Sequence, residues 1–276
     1  GSGAARPRQR RATSGFRAPD LSMTGTVYLV GAGPGAPDLL TVRAANVLAR
    51  ADIVFHDALV HADTLALATR AEKIAVGKRC GKHSTAQRFI NKRLVDAART
   101  HATVVRLKGG DPMLFGRAQE EIAALEAAGV PYAIVPGITA ALAAAADIGT
   151  SLTQRGNVRS FAFVTPRVGA GEAPSRWLDG IIGADAGAIY MGSHDAPAIA
   201  AALIDAGRGA ETPVAIVEDA SMPDSRVHYT TLAALPDFVA DSGAPTLLLV
   251  GPQFRARARH FVEEALPDIR TAVAGA

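Results

Sequence analysis

From Gly25 onward, short runs of β-branched and other apolar residues alternate with alanine- and leucine-rich stretches of helical length. Thr26-Val27-Tyr28-Leu29-Val30 is the first run, and comparable ones follow at 52–56, 72–76, 103–107 and 132–135. Between or after them, residues 37–50, 62–69, 86–100, 117–128 and 138–147 read as helices. Such alternation predicts a doubly wound α/β unit with largely parallel strands. Strands recur at 160–165, 187–191, 213–218, 226–231 and 245–250, with helices over 195–206 and 232–241. The shorter spacing between 213 and 231 predicts a hairpin, which makes the second half a mixed sheet.

Two α/β domains are therefore expected, at 26–148 and 158–252, joined by a linker at 149–157. The Gly/Pro-rich stretch Pro166 to Pro174 reads as a mobile loop. Residues 253–276 read as a C-terminal helix or tail, and 1–25 as a disordered basic extension in which Gly1-Ser2-Gly3 is a tag remnant ahead of a natural-looking start near Met23. Charge follows this division. Residues 1–22 hold five arginines and one aspartate, which leaves 24 basic and 25 acidic residues in the rest of a chain whose formal net charge is +3. The basic balance thus belongs to the extension and predicts no nucleic-acid surface. The apolar stretch around Ile138 to Ala146 falls short of the ~20 residues a membrane span needs, so no transmembrane helix is expected. A single cysteine, Cys80, excludes an internal disulfide or a multi-cysteine metal site and fits a reducing cytoplasm.

Ligands of open α/β sheets bind beyond the carboxyl ends of strands, so candidate chemistry is sought there. The first strand ends in Gly31-Ala32-Gly33-Pro34-Gly35, a turn that lets a ligand approach the backbone. Its third glycine comes one place too early for G-x-G-x-x-G, which weakens a dinucleotide reading. Arg106-Leu107 runs into Lys108-Gly109-Gly110-Asp111-Pro112, a second glycine turn with a carboxylate at its tip; the plainer reading of Asp111 is that it satisfies its own turn. Asp57 and Lys78 follow the second and third strands, where an acid and an amine can accept and donate a proton, although each alone is more often a cap or a surface charge. Seven Lys/Arg and no acid occupy Lys73 to Val95, a density suited to a small polyanion; Phe89 is the run's one aromatic residue, which argues against a base-stacking groove. Pro136-Gly137-Ile138-Thr139-Ala140 opens a helix whose N-terminus can present backbone donors. Met191 ends a strand, a position that is ordinarily core.

Taken in order, VYLVGAGPG, HDALV, VGKRCGKHS, VVRLKGGDPMLFGR, VPGITAA, YMG, PVAIVEDA and PTLLLVG resemble the tetrapyrrole methylase family over residues 26–252. The resemblance implies two α/β domains with the active site in the cleft between them, S-adenosylmethionine as methyl donor, S-adenosylhomocysteine as product, no metal, and a homodimer. It implies cofactor contacts at Pro34, Gly109, Gly110, Asp111, Leu114, Thr139, Ala140, Met191 and Ala220, with Asp57 as proton acceptor and Lys78 as donor. The implied reaction is C-methylation of uroporphyrinogen III at two ring carbons to give precorrin-2, in siroheme and cobalamin biosynthesis. Arg106, Arg117, Arg155 and Arg159 are then candidate partners for the substrate's carboxylates. Methylation of a later precorrin, and a catalytically impaired S-adenosylmethionine-binding homologue, stay open as alternatives. Three loops leave them open: where tyrosine and arginine often flank the aspartate stand His56 and Ala58, a Thr-His-Arg motif reads Thr153-Gln154-Arg155, and a Thr-Gly-His motif reads Thr165-Pro166-Arg167.

Overall fold

The structure is a computed structural model that describes residues 25–76, 87–169, 171, 173–238 and 244–255. The expected extension up to Ser22, Lys78 and Cys80, and all of the expected tail beyond Arg255 lie outside the described residues.

Five strands build the first sheet: β1 (Thr26–Gly31), β2 (Ile53–His56), β3 (Glu72–Ala75), β4 (Thr103–Lys108) and β5 (Tyr132–Val135). They are all parallel, in the order β3-β2-β4-β1-β5. Side chains alternate faces along a strand, and the sequence supplies apolar residues for both. Val27, Leu29, Ile53, Phe55 and Val104 pack beneath α3 (Gln87–Ala98) and α4 (Ala118–Ala127), which contribute Ile90, Leu94, Ile122 and Leu125. Val30, Val54, Val105 and Leu107 pack on the opposite face with α1 (Val42–Ala49). The short α2 (Ala62–Ala66) follows β2. The expected helix at 37–50 is split: a 3-10 turn covers Pro37–Leu39, and α1 starts afresh because Thr41 caps it, its hydroxyl accepting the Ala44 N–H at 3.1 Å.

A second sheet runs in the order β6-β7-β10-β8-β9 from β6 (Phe161–Val164), β7 (Ala186–Tyr190), β8 (Pro213–Glu218), β9 (Arg226–Thr231) and β10 (Thr246–Val250). Only β6 and β7 pair in parallel; β8 and β9 form the expected hairpin, and the sheet is mixed. One face packs on α6 (Trp177–Ile182) and α7 (Ala196–Asp205) through Ile181, Ile199 and Leu203. The other receives Ala141, Ala144 and Ile148 from α5 (Ala140–Asp147) and the turn that ends it. Two element readings need correction. No helix spans 232–238: a turn and a 3-10 segment at Leu235–Asp237 bury Leu232 and Leu235 in the core, so their helical-looking spacing reflects packing of a loop. Conversely, α6 was hidden in the sequence, because it is six residues long and contains Gly180.

Candidate active site

Three strand ends of the first sheet meet in a backbone junction. Gly33 and Gly110 form an antiparallel bridge, with Gly110 N–H donating to the Gly33 carbonyl at 2.7 Å and Gly33 N–H returning to the Gly110 carbonyl at 3.2 Å. Gly31 and Gly137 close the junction from β1 and from the loop after β5. A Cβ on Gly137 would lie 2.3 Å from the Gly110 carbonyl oxygen, and one on Gly31 would lie 2.6 Å from Gly137 Cα. Gly110 has φ +66°, so it also needs glycine for its backbone. Gly109 differs: its nearest neighbour to an added Cβ is Leu59 Cβ at 3.8 Å. It faces open space, the situation of a glycine kept small for something outside the protein.

Asp111 holds this junction together. Its Oδ1 accepts the Met113 N–H at 2.8 Å and its Oδ2 accepts the Gly137 N–H at 2.9 Å. The plainer reading of the residue, satisfaction of its own turn, is therefore half of its role; the other half clamps the loop from β5. Each carboxylate oxygen retains a second lone pair for a ligand donor. Leu114 follows on the same turn, its N–H donating to the Asp111 carbonyl at 3.3 Å.

The second sheet presents Tyr190 and Met191 to this junction. Tyr190, at the end of β7, shares a 2.7 Å hydrogen bond with the Thr139 hydroxyl and accepts the Ala141 N–H at 3.1 Å. It thereby caps the N-terminal turn of α5, which begins with Ala140. Burial raises the pKa of its phenol, against the lowering effect of these two hydrogen bonds, so the hydroxyl stays protonated at neutral pH. Phe115 lies against its ring at a centroid distance of 5.1 Å and Phe163 at 6.3 Å. Met191 is not core, as a strand-end methionine ordinarily is: it is 45 % exposed with φ +56°. Phe115, Arg117, Asp219 and Ser221 share that left-handed conformation, which costs a non-glycine residue on the order of 1–3 kcal/mol. All five lie on the loops that converge around Asp111, Tyr190 and Ala220, the usual setting for stored backbone strain.

Further ties join the two sheets. The Ser221 hydroxyl accepts the Ala36 N–H at 3.1 Å, which brings the loop of Pro34 against buried Ala220. Asp147, at the end of α5, accepts the Ser221 N–H at 2.7 Å and the Ser225 hydroxyl at 3.2 Å. Nothing in the sequence marked Ser221 or Asp147, whose partners lie far along the chain.

Asp57 projects from the end of β2 with its side chain 31 % exposed, and Arg106 Nη2 donates to its Oδ1. Arg106 is 3 % exposed and also donates to Glu121 at 3.0 Å. It is consumed inside the protein, which overturns its reading as a substrate-carboxylate partner. Arg117 is exposed and holds Glu120 through two bonds at 2.7 and 2.8 Å. Arg155 sits exposed on a tight turn closed by the Gln154–Val158 bridge, and Arg159 is exposed beyond it. Of the seven-cation run, Arg88, Lys92 and Arg93 lie on α3 and Lys73 on β3, while the other three fall outside the described residues. An open hollow of about 610 Å³ between α5 and β6, walled by Leu142, Leu152, Phe161 and Phe163, has no charged lining residue to pair with a carboxylate. Among the described residues, no helix is long and apolar enough to cross a membrane, and no three His, Cys, Asp or Glu side chains group to hold a metal.

Two α/β units thus meet through the glycine-turn loops after β1 and β4 and the end of β7. The model of the Tetrapyrrole (Corrin/Porphyrin) Methylases matches residues 26–236, and the chain belongs to that family. It is 48% identical over 231 residues to a siroheme synthase of Psychrobacter cryohalolentis, covering 82% of this chain and 44% of the relative. A siroheme synthase of Pseudomonas fluorescens is 47% identical over 237 residues, covering 85% and 51% respectively. The chain thus spans about half the length of the curated relatives it matches. Among solved structures, the uroporphyrin-III C-methyl transferase of Thermus thermophilus in complex with S-adenyl homocysteine superposes with a TM-score of 0.72 at 39% identity, covering 82% of this chain and 97% of that one. A cobalt precorrin-4 methyltransferase gives the same TM-score, 0.72, at 29% identity, with coverages of 84% and 96%.

Proposed function

We propose that the protein transfers methyl groups from S-adenosylmethionine to two ring carbons of uroporphyrinogen III, giving precorrin-2 for siroheme and cobalamin synthesis. The observation that carries this reading is the glycine junction of Gly31, Gly33, Gly110 and Gly137 beside exposed Met191 and Gly109. Close-packed backbone, the small exposed Gly109, and an exposed methionine next in the chain to Tyr190, which bonds Thr139, suit an adenosyl sulfonium. Pro34, Gly109, Gly110, Asp111, Leu114, Thr139, Ala140, Met191 and Ala220 would hold the cofactor, which supplies the methyl group already activated as a sulfonium. The Thermus enzyme solved with S-adenyl homocysteine supports S-adenosylmethionine as the methyl donor.

The chain's own contribution is to orient and to take up a proton. Aligning the acceptor carbon and excluding water supplies most of the rate in such a transfer. The acceptor carbon's electron pair forms the new carbon–carbon bond, and the proton released as the ring recovers conjugation passes to the Asp57 carboxylate. Lys78 is the partner donor in this reading. With Arg106 withdrawn, Arg155 and Arg159 are exposed candidates for the substrate's carboxylates, and Arg117, which holds Glu120, would have to exchange that partner to join them. We place the enzyme in the cytoplasm as a homodimer, a state that sedimentation measures directly.

A second reading keeps the cofactor and changes the acceptor to a later precorrin. His56, Gln154 and Pro166 favour it, as does the equal TM-score of the cobalt precorrin-4 enzyme. A homologue that binds S-adenosylmethionine and the tetrapyrrole without turnover is the remaining alternative. Anaerobic incubation with S-adenosylmethionine and either uroporphyrinogen III or later precorrins, followed by mass measurement, separates them. Two added methyl groups on uroporphyrinogen III are expected. Methylation of a later precorrin alone would favour the second reading, and retention without added mass the third. Asp57→Ala is expected to lower turnover at least tenfold with cofactor affinity kept.

A further inference from the structure

Beneath the Gly109-Gly110-Asp111 turn lies a row of buried charges that the proposed chemistry has not used. Period-two alternation puts Val104, Arg106 and Lys108 of β4 on one face. Val104 meets the apolar core under α3 and α4, but towards the end of the strand that face becomes cationic. Glu121 of α4 meets it there, with no solvent exposure. Lys108 Nζ donates to both Glu121 oxygens at 3.0 Å, Arg106 Nε donates to Oε1 at 3.0 Å, and Gln87 of α3 donates to the same oxygen at 3.1 Å. Arg106 then reaches on to Asp57. Two cations and two carboxylates alternate as Lys108–Glu121–Arg106–Asp57, and only the last is open to solvent.

This arrangement is expensive to build, since each buried ion loses hydration that pairing only partly returns. An apolar filling would give a more stable core, so the row calls for a use. The physical consequences are visible on its members. Burial and the Arg106 charge depress the Lys108 pKa, against the pull of Glu121 and Asp57. Burial opposes the Arg106 charge most strongly, but Asp57 and Glu121 more than restore it, so its pKa is raised and it remains a fixed cation.

We propose that Glu121 and Lys108 are positioning residues for Asp57: they fix the Arg106 guanidinium that aims its carboxylate, and their charges act on it through that guanidinium. The proposal rests on the reading of Asp57 as proton acceptor. Arg106 occupies Oδ1 and, among the described residues, Oδ2 has no partner, so one oxygen is held and the other is presented. Among the described residues, Arg106 and Lys108 from β4 act on Asp57, Glu121 from α4 reaches it through Arg106, and His56 of β2 has its Nδ1 3.1 Å from the Asp57 carbonyl oxygen. Glu120 enters through its attraction to Lys108, and Arg93 of α3 lies 5.5 Å over the neighbouring Phe55 ring. Neutralising Glu121 removes an anion that repels the Asp57 carboxylate, whereas neutralising Lys108 removes a cation that attracts it.

Rates of methyl transfer to uroporphyrinogen III, measured against pH at saturating S-adenosylmethionine, test this in the full chain. The acidic limb of the profile should move down by about one pH unit in Glu121→Gln and up by about one in Lys108→Met, sizes expected for a unit charge at this range. The double variant Lys108→Met/Glu121→Gln restores a balanced Asp57–Arg106 pair and should bring the limb back between the two; it also supplies the measurement if either single variant fails to fold. A loss of rate at every pH with the limb unmoved, or moved in the same direction in both single variants, would overturn the proposal. Asp57→Asn separates the underlying reading: if it keeps the wild-type rate and limb, Asp57 is not the acceptor, and the proposal falls with it. If Asp57→Asn abolishes the limb while the other variants leave it in place, only the positioning role is lost.

Discussion

Asp111 shows how a single side chain joins two separate loops. Its two oxygens collect N–H groups from Met113 and Gly137, so a carboxylate at the tip of one turn sets the place of another. Replacing it by alanine orphans both donors, a change worth about 1–2 kcal/mol. Calorimetry with S-adenosylhomocysteine should therefore record an affinity loss of roughly tenfold in Asp111→Ala; unchanged affinity would remove the residue from the cofactor's surroundings. Arg106 carries the opposite lesson. In the sequence it is one cation among several near a strand end, and only the register Phe55↔Arg106 together with Glu121 on α4 shows that it is spoken for.

At the scale of elements, the glycines fall into two kinds that the sequence presents alike. Gly137→Ala drives a Cβ into the Gly110 carbonyl and should cost about 1–3 kcal/mol of stability, read as a lowered Tm. Gly109→Ala meets nothing closer than 3.8 Å and should leave stability within about 0.5 kcal/mol while weakening cofactor binding. Equal effects of the two on Tm would erase the distinction. Strand ends supply another test. Asp185, just before β7, accepts from the Arg159 N–H, the Ser160 N–H and the Ser160 hydroxyl at 2.8–2.9 Å, bonds that hold its pKa below the ordinary carboxylate value and pin the start of β6. Its contribution to stability is complete above the ordinary carboxylate pKa and is lost as pH falls through the depressed folded value. Acid titration of Tm should accordingly show a smaller low-pH loss in Asp185→Asn than in the wild type. The ten strands among the described residues were legible to within a residue, because apolar runs closed by glycine or polar turns leave few alternatives. The six residues of α6 and the loop at 232–238 were not, since burial there follows tertiary packing rather than a local period.

For the whole molecule, the two sheets share more than a boundary. Helix α5 precedes the expected linker at 149–157, yet its alanines pack into the core of the second sheet, and Tyr190, Ser221 and Asp147 tie the halves on both ends of that helix. Sequence motifs pointed to loops that the structure brings together, because glycine turns and the Tyr-Met-Gly triplet are local. They could not identify the ties between those loops, whose partners stand as much as 185 positions apart. The Gly33–Gly110 bridge is one such distant closure, and its consequence is kinetic. Pairing across so long a separation forms late, since the chain must lose loop entropy before the contacts repay it. The proposed cofactor site, floored by that bridge, would therefore be absent until folding is nearly complete. S-adenosylhomocysteine should then slow unfolding in denaturant jumps and leave the refolding rate unchanged, because it stabilises the native state and not the barrier. A ligand-dependent acceleration of refolding would mean that the junction is assembled early instead.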